Sequence, residues 1–303
     1  MAMLDISDVD KVYGLGNESK STITALEGID LSVEEGEFVS IIGPTGCGKS
    51  TLFELIGGLV EPTGGEIHLD GEAITEPHPR IGMVFQDHST FPWMSVIENV
   101  AFGLRMNGVG QAEREERAKE MIDLVGLSGF EDANPTELSG GMNQRVAIAR
   151  TLVMDPDVIL MDEPFGKLDE QTRLILGEEL LRIWRETGAT ILFVTHNITE
   201  AVQLSDRIAV MSSRPGRFTT TVDNEIPRPR DDSTMSTGEF NDLVQRLWTV
   251  LKDESLAGMN QNQNQSEARS TSESEDQTGP QRDRRPETDE NGEATPQQSS
   301  QES

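Results

Sequence analysis

The 303 residues predict an α/β fold: a mostly parallel sheet, a small antiparallel β subdomain at the N-terminus and an inserted α-helical subdomain. Three observations carry that reading. Short β-rich runs alternate with helical patterns along most of the chain, as strands with helices packed on them require. A glycine-rich turn, Gly43-Pro44-Thr45-Gly46-Cys47-Gly48-Lys49-Ser50, joins one such run to a helix. Between about residues 87 and 155 the strand signal fades and helical patterns take over, so a helical piece sits between two strands of the core.

Taken in order, residues 4–12 and 29–33 read as two antiparallel strands separated by a polar loop around 14–22. The run 37–42 stops at Gly43 and feeds a helix over 49–59. Four more apolar runs, 66–69, 81–85, 158–161 and 191–194, have the length of buried strands. Helices are predicted over 95–106, 111–125 and 144–154 in the insertion, and over 169–186 after it, where Asp169 is a good N-cap. Strands at 208–211 and 217–222 follow, then Pro227 and Pro229, then a helix near 238–251. From 260 on the chain has two Ala and no larger apolar residue, so burial cannot offset the entropy of ordering. Residues 1–252 are expected to form the working domain and 253–303 a disordered, acidic and polar tail.

Acidic residues outnumber basic ones 54 to 25, a net charge of −29. The tail from 260 holds ten acidic residues and four Arg, a net −6, which leaves −23 on the rest. Only six of the 25 basic residues are Lys. Acidity spread over a folded domain with scarce Lys suggests concentrated intracellular salt, where the Debye length shrinks to about 3 Å at 1 M. Such a chain lacks the clustered basic residues of a nucleic-acid binder. The single Cys47 excludes an internal disulfide and fits a reducing cytosol. No stretch approaches the roughly 18 consecutive apolar residues of a membrane span, and the start lacks a secretory signal pattern. The expectation is a cytosolic chain whose contact with a membrane runs through a partner.

The turn Gly43 to Ser50 matches the phosphate-binding loop pattern G-x-x-x-x-G-K-S between strand and helix. Its glycines let successive N–H groups point inward at phosphates, and the following helix adds its positive dipole end. Lys49 would neutralise the β/γ-phosphates of ATP and Ser50 would offer its hydroxyl to Mg²⁺. Asp162, at the end of the apolar run Val158-Ile159-Leu160-Met161, is placed to help hold Mg²⁺, and Glu163 to polarise an attacking water. Cys47 lies in the phosphate nest near a helix N-terminus and is expected to be a reactive thiol. A second turn, Leu138-Ser139-Gly140-Gly141-Met142-Asn143-Gln144-Arg145, opens another helix where a phosphate can be gripped. The chain thus carries two half-sites for one nucleotide, and two copies must meet to complete them.

That second turn resembles the signature of ABC-type ATPases, and the other motifs of the family stand in the expected order from about residue 4 to 222. The resemblance implies a P-loop NTPase (RecA-like) core that binds ATP along Gly43 to Thr51. It implies that Gln86, at the junction of core and helical subdomain, senses Mg²⁺ and water. Asp169 would meet the partner subunit, His196 would contact the γ-phosphate, and Tyr13, the only tyrosine, would stack on adenine. Ser139, Gly140 and Gly141 would act in trans. Phe91-Pro92-Trp93-Met94, Asn99-Val100-Ala101-Phe102-Gly103, Met161 to Gly166 and Ser213-Arg214-Pro215-Gly216 are similar to the nitrate, sulfonate and taurine importer ATPases. In that subgroup the segment after the glutamine helps form the groove for a permease helix, which makes Phe91 and Trp93 expected exposed anchors. Lys167, Asn197 in place of Asp, and the tail beyond Lys252 depart from the pattern.

These resemblances imply a peripheral ATPase on the cytoplasmic face of the membrane. It would pair with itself or a paralogue, drive integral permease subunits, and serve a separate solute-binding protein. A soluble ABC-type ATPase outside transport would show a long coiled-coil insertion or two cassettes in one chain, and neither is present. An importer for another small solute stays open.

Overall fold

The run Phe38–Ile42 is buried at every position, and so is Thr190–Val194, as strands covered by helices on both faces must be. The computed structural model describes residues 2–14, 22–86 and 90–275 of the chain. The chain divides into two units, Met1–Asn260 and Gln261–Ser303. In the second, the described residues 261–275 are helical.

In chain order the first unit begins with β1 (Ala2–Gly14), β2 (Thr22–Glu34), β3 (Phe38–Ile42), α1 (Lys49–Ile56), β4 (Gly64–Leu69), β5 (Glu72–Ala73) and β6 (Ile81–Val84). The insertion follows as α2 (Val96–Val100), α3 (Phe102–Met106), α4 (Gln111–Leu124) and α5 (Gly140–Leu152). Then come β7 (Val158–Asp162), α6 (Glu170–Thr187), β8 (Thr190–Val194), α7 (Ile198–Leu204), β9 (Arg207–Met211) and β10 (Phe218–Asp223). The last helices are α8 (Asp232–Met235) and α9 (Gly238–Glu275).

Two sheets form. An antiparallel sheet has the order β2-β1-β4-β5. The second has the order β10-β9-β3-β8-β7-β6, parallel throughout except for the edge strand β10. One apolar core lies where α1, β2 and β3 meet, through Leu26, Phe53, Val39 and Ile41. Another joins Val96, Ile122 and Val146 of the insertion to Phe165, Leu180 and Phe193. A third seats Phe240 and Leu247 of α9 against Ile198, Val202 and Val210.

The strand order matters more than the strand count. In an open parallel sheet, ligands gather at the carboxyl ends of the strands. Here β3, β8, β7 and β6 are spatial neighbours, so the loops leaving them share one edge.

The structure moves several expected boundaries. The predicted helix 95–106 is two pieces that meet at Ala101, and the residue Gly103 packs so closely that a Cβ would lie 2.5 Å from Met154 Sδ. The helix expected from 144 begins at Gly140, capped by Ser139. The polar loop between the first strands falls on residues 15–21, outside the described residues, as does 276–303 of the tail. The expectation of disorder from 253 differs from the helix that runs on to Glu275. Ala, Glu and Gln have good intrinsic helix propensity, which composition-based burial arguments leave out.

Candidate active site

The P-loop leaves β3 and enters α1 with Gly46 at φ 77° and Gly48 at φ 111°. A Cβ on Gly48 would lie 2.7 Å from Leu26 Cδ2 and 3.1 Å from the Ala25 carbonyl, so both conformation and space demand glycine there. Lys49 opens α1 and its Nζ donates to the carbonyls of Gly43 (3.0 Å) and Pro44 (3.1 Å), which holds the ammonium across the loop. Pro44 and Gly48 are half-buried, and Thr45, Gly46 and Ser50 are exposed. Thr51 is half-buried in the first turn of α1.

Cys47 departs from expectation. Its thiol is 1 % exposed and Sγ lies 3.9 Å from Lys49 Nζ. Burial pushes its pKa up, and the nearby Lys49 only partly offsets that. A protonated, enclosed thiol is a poor nucleophile, so Cys47 is a packing residue rather than a reactive one.

The next strand-end groups come from β7. Asp162 ends that strand beside Ser50, whose hydroxyl donates to it, while burial pushes its carboxyl above the ordinary range. Glu163 follows with φ 45°, in the left-handed region that non-glycine residues seldom adopt. Its backbone N–H donates to the Val194 carbonyl of β8 (2.9 Å) and its carbonyl accepts from Gly166 N (3.0 Å), so the turn is held from both sides. The side chain meets His196, with Nδ1 3.1 Å from Oε2. Gln86, beyond β6, brings Nε2 to 3.5 Å from the same oxygen, a long contact. His196 and Gln86, nominated separately by sequence, therefore converge on one carboxylate oxygen, that of Glu163.

His196 precedes α7, which Asn197 caps by accepting from Glu200 N at 3.2 Å. Asn and Asp cap helices about equally well, which explains why the departure at Asn197 leaves this turn intact. Sequence reasoning missed Glu200 and Thr195. Thr195 Oγ1 donates to the Glu200 carboxylate, and Asn197 N donates back to Thr195 Oγ1 at 3.0 Å. Glu200 is buried, its other oxygen has no partner, and burial pushes its pKa up. The signal was legible as a capping pattern, Asn197 followed three residues later by Glu200.

Other nominated residues stand apart. Ser139 caps α5, accepting from Met142 N at 3.3 Å, and is exposed together with Gly140. Gly141 is buried against α6, where a Cβ would lie 3.1 Å from Thr172 Cγ2. Among the described residues no hydrogen bond joins Ser139, Gly140 or Gly141 to the P-loop of the same chain. Asp169 caps α6 through Thr172 N (3.0 Å), and the Thr172 bonds hold its carboxyl below the usual range. Tyr13 pairs with Ile23 near the end of β1, 37 % exposed, with Lys11 Nζ 5.0 Å above its ring. Trp93 is 72 % exposed, as expected of an anchor. Phe91 is not: it is half-buried, 4.6 Å from Phe102 and under the Arg150 guanidinium, so it supports Trp93 from below. Buried Asn99 shapes that segment by donating to the carbonyls of Phe91, Met94 and Ser95.

Residues 26–166 match the family described as ABC transporter. A curated ABC transporter ATP-binding protein of Methanocaldococcus jannaschii is 48% identical over 257 residues, 84% of this chain and 94% of the relative. The chain belongs to the ABC transporter ATP-binding family. This cassette is also 45% identical to an aliphatic sulfonates import ATP-binding protein of Bacillus cereus, over 80% of this chain and 94% of the relative. Among solved structures, a dimeric ATP-binding cassette in a post-hydrolysis state bound to ADP and Pi superposes with a TM-score of 0.65 at 35% identity. It covers 74% of this chain and 99% of its own. A subunit of an ABC transporter complex from Clostridium perfringens gives 0.66 at 31% identity, covering 74% and 89%. The P-loop NTPase core is thus that of an ABC cassette, and the activity is that of an ABC-type ATPase. Among the described residues no helix is long and apolar enough to cross a membrane, and no cluster of His, Cys, Asp and Glu forms a metal site by itself.

Proposed function

We propose that this cassette is the ATP-hydrolysing subunit of an importer for a small oxyanion, a sulfonate, taurine or nitrate. It would work at the cytoplasmic face of the membrane beneath permease subunits fed by a solute-binding protein. The observation that carries the catalytic half is the convergence of Gln86, Glu163 and His196 at the carboxyl edge of the sheet, next to the P-loop. Glu163 accepts the proton of the attacking water. His196, donating from Nδ1 to Glu163, orients that carboxylate and presents Nε2 to the γ-phosphate. Lys49 and the inward N–H groups of Gly43 to Thr51 carry the β- and γ-phosphate charge. The neighbouring oxygens of Ser50 and Asp162, with the Gln86 amide oxygen, are hard donors suited to Mg²⁺, which takes few protein ligands and completes its shell with water and phosphate oxygens. When bound, the ion neutralises charge developing on the phosphates.

Ser139, Gly140 and Gly141 reach the γ-phosphate of a second copy or a paralogue, and Tyr13 stacks on adenine. Exposed Trp93, braced by Phe91, docks the permease helix. The sulfonate-import relative and the importer-like motifs around it support the substrate class. Uptake of labelled taurine, an alkanesulfonate and nitrate, compared between cells with the intact gene, without it, and with Glu163→Gln, tests this. Loss of one oxyanion's uptake in both altered strains is expected; undisturbed uptake of all three would sink the importer reading.

The acid excess supports a working environment of concentrated salt. Melting should rise substantially between about 0.1 and 2 M KCl, as the Debye length shrinks from about 10 Å at 0.1 M to about 3 Å at 1 M and the acidic self-repulsion is screened. A flat melting curve would remove that part of the reading.

A further inference from the structure

The Ser213-Arg214-Pro215-Gly216 loop, so far without a role, is built directly against the P-loop. It closes on itself: Ser212 Oγ donates to the Pro215 carbonyl (2.9 Å) and accepts from Arg217 N (3.0 Å), while Ser212 N donates to the Arg217 carbonyl (2.8 Å). It is also stitched to β2, since Gly216 N donates to the Ala25 carbonyl (2.9 Å) and its own carbonyl accepts from Glu27 N (3.0 Å). Gly216 touches the P-loop so closely that a Cβ would lie 2.1 Å from the Cys47 carbonyl. From this braced frame Arg214 reaches out, and Nη2 donates to the Gly46 carbonyl at 3.2 Å.

Two features make that contact unusual. In a chain with 54 acidic residues, Arg80, Arg182, Arg207, Arg217 and Arg228 each pair with a carboxylate. Arg214 makes no ion pair among the described residues; its exposed guanidinium is directed at a backbone carbonyl instead. The carbonyl belongs to Gly46, held at φ 77° at the apex of the loop. A peptide unit is planar, so fixing that carbonyl also fixes the direction of the Cys47 N–H on its other side, which turns back toward the Pro44 carbonyl at 3.3 Å. A charged donor does this more firmly than a neutral one.

We propose that Arg214 is a positioning residue of the nucleotide site: it holds the apex of the P-loop in its phosphate-ready shape and adds positive charge at the rim. The inference rests on the assignment of Gly43 to Thr51 to the phosphates. A guanidinium at this rim favours any polyphosphate, so ATP and ADP should both feel its loss. The effect belongs to binding rather than to the chemical step, because Arg214 acts on the loop and not on Glu163.

The test uses the full chain at constant salt. Binding is measured by titrating a fluorescent ATP analogue and displacing it with ATP or ADP, and turnover by steady-state ATPase assay. Arg214→Ala should weaken both nucleotides by about fivefold and raise KM by a similar factor, while kcat falls by less than about twofold. Its melting temperature should match the parent, and Arg214→Lys should recover part of the loss, which a purely steric role would not allow. Unchanged nucleotide affinity in Arg214→Ala overturns the inference, and so does a loss confined to kcat or one that Lys leaves unrestored. Lys49→Ala separates this from the underlying assignment: if that variant binds ATP normally, the P-loop is not the phosphate site and the inference falls with it.

Discussion

The two glycine-rich turns of this cassette are built on opposite plans. The turn from Gly43 to Ser50 leaves a fully buried parallel strand, is hemmed in by Leu26, Ala25 and Gly216, and has Asp162, Glu163 and His196 delivered beside it from the ends of neighbouring strands of the same sheet. The turn from Ser139 to Gly141 opens a helix of the insertion; Ser139 and Gly140 face solvent, and among the described residues Ser139 bonds Met142 and Asn143 of its own helix. Both begin helices with free N–H groups, so local chemistry does not separate them. Their surroundings do. One has its neighbours within the chain, while the other has no hydrogen bond to the P-loop among the described residues.

The comparison breaks hardest at Glu163. Glu163→Gln keeps shape and hydrogen bonding but removes the carboxylate proposed above as the base, so ATP hydrolysis should fall at least about a hundredfold while ATP still binds. Rapid quench assays of turnover and equilibrium ATP binding check this. If the second turn completes a site in another copy, the same variant should run as a dimer with ATP and a monomer with ADP in size-exclusion chromatography.

A second change sharpens the contrast. Ser139→Trp in the Glu163→Gln background adds bulk at an exposed position, so monomer folding and nucleotide affinity should be unchanged. The ATP-dependent dimer should vanish, with the apparent association constant down by at least about tenfold, a 1.4 kcal/mol effect. A persistent dimer would show that the signature turn lies away from the interface.

The smallest effect concerns the buried support behind His196. Burial raises the pKa of Glu200 above its ordinary 4.5, so over the range above that value the folded state binds more protons than the unfolded one. Stability from this group therefore falls as pH rises through that window. Glu200→Gln keeps an acceptor for Thr195 without a charge. Its melting temperature should pull ahead of the parent as pH rises above about 4.5. Thermal melts at several pH values decide it, and a gap that stays constant with pH would count against a buried charge there.

How much of this was legible beforehand differs by residue. Gly46, Gly48 and Lys49 were readable because a phosphate cradle needs its residue types at fixed spacing, and the observed φ angles are those that spacing demands. Glu163 and His196 were readable near strand ends, since each stands two positions past a short apolar run, Val158 to Met161 and Ile191 to Val194. Their meeting at 3.1 Å was not, because they stand 33 positions apart in the chain and only the pairing of β7 with β8 brings them side by side. Cys47 shows the same limit from the other direction. Its place beside a helix N-terminus suggested reactivity, but reactivity depends on exposure, and the thiol is buried in an apolar core cluster with Lys49 Nζ 3.9 Å away.

Local pattern by itself determined the elements whose chemistry is written in neighbouring residues: the P-loop, the strand-end carboxylates, the caps at Ser139 and Asp169. Tertiary structure alone decided which strand ends become neighbours, that Phe91 is half-buried while Trp93 is exposed, and that Arg214 reaches the P-loop from 168 positions away. The physical reason is that hydrogen bonding and backbone conformation act over a few residues, whereas burial and proximity are set by strand order and by which side chains share a core.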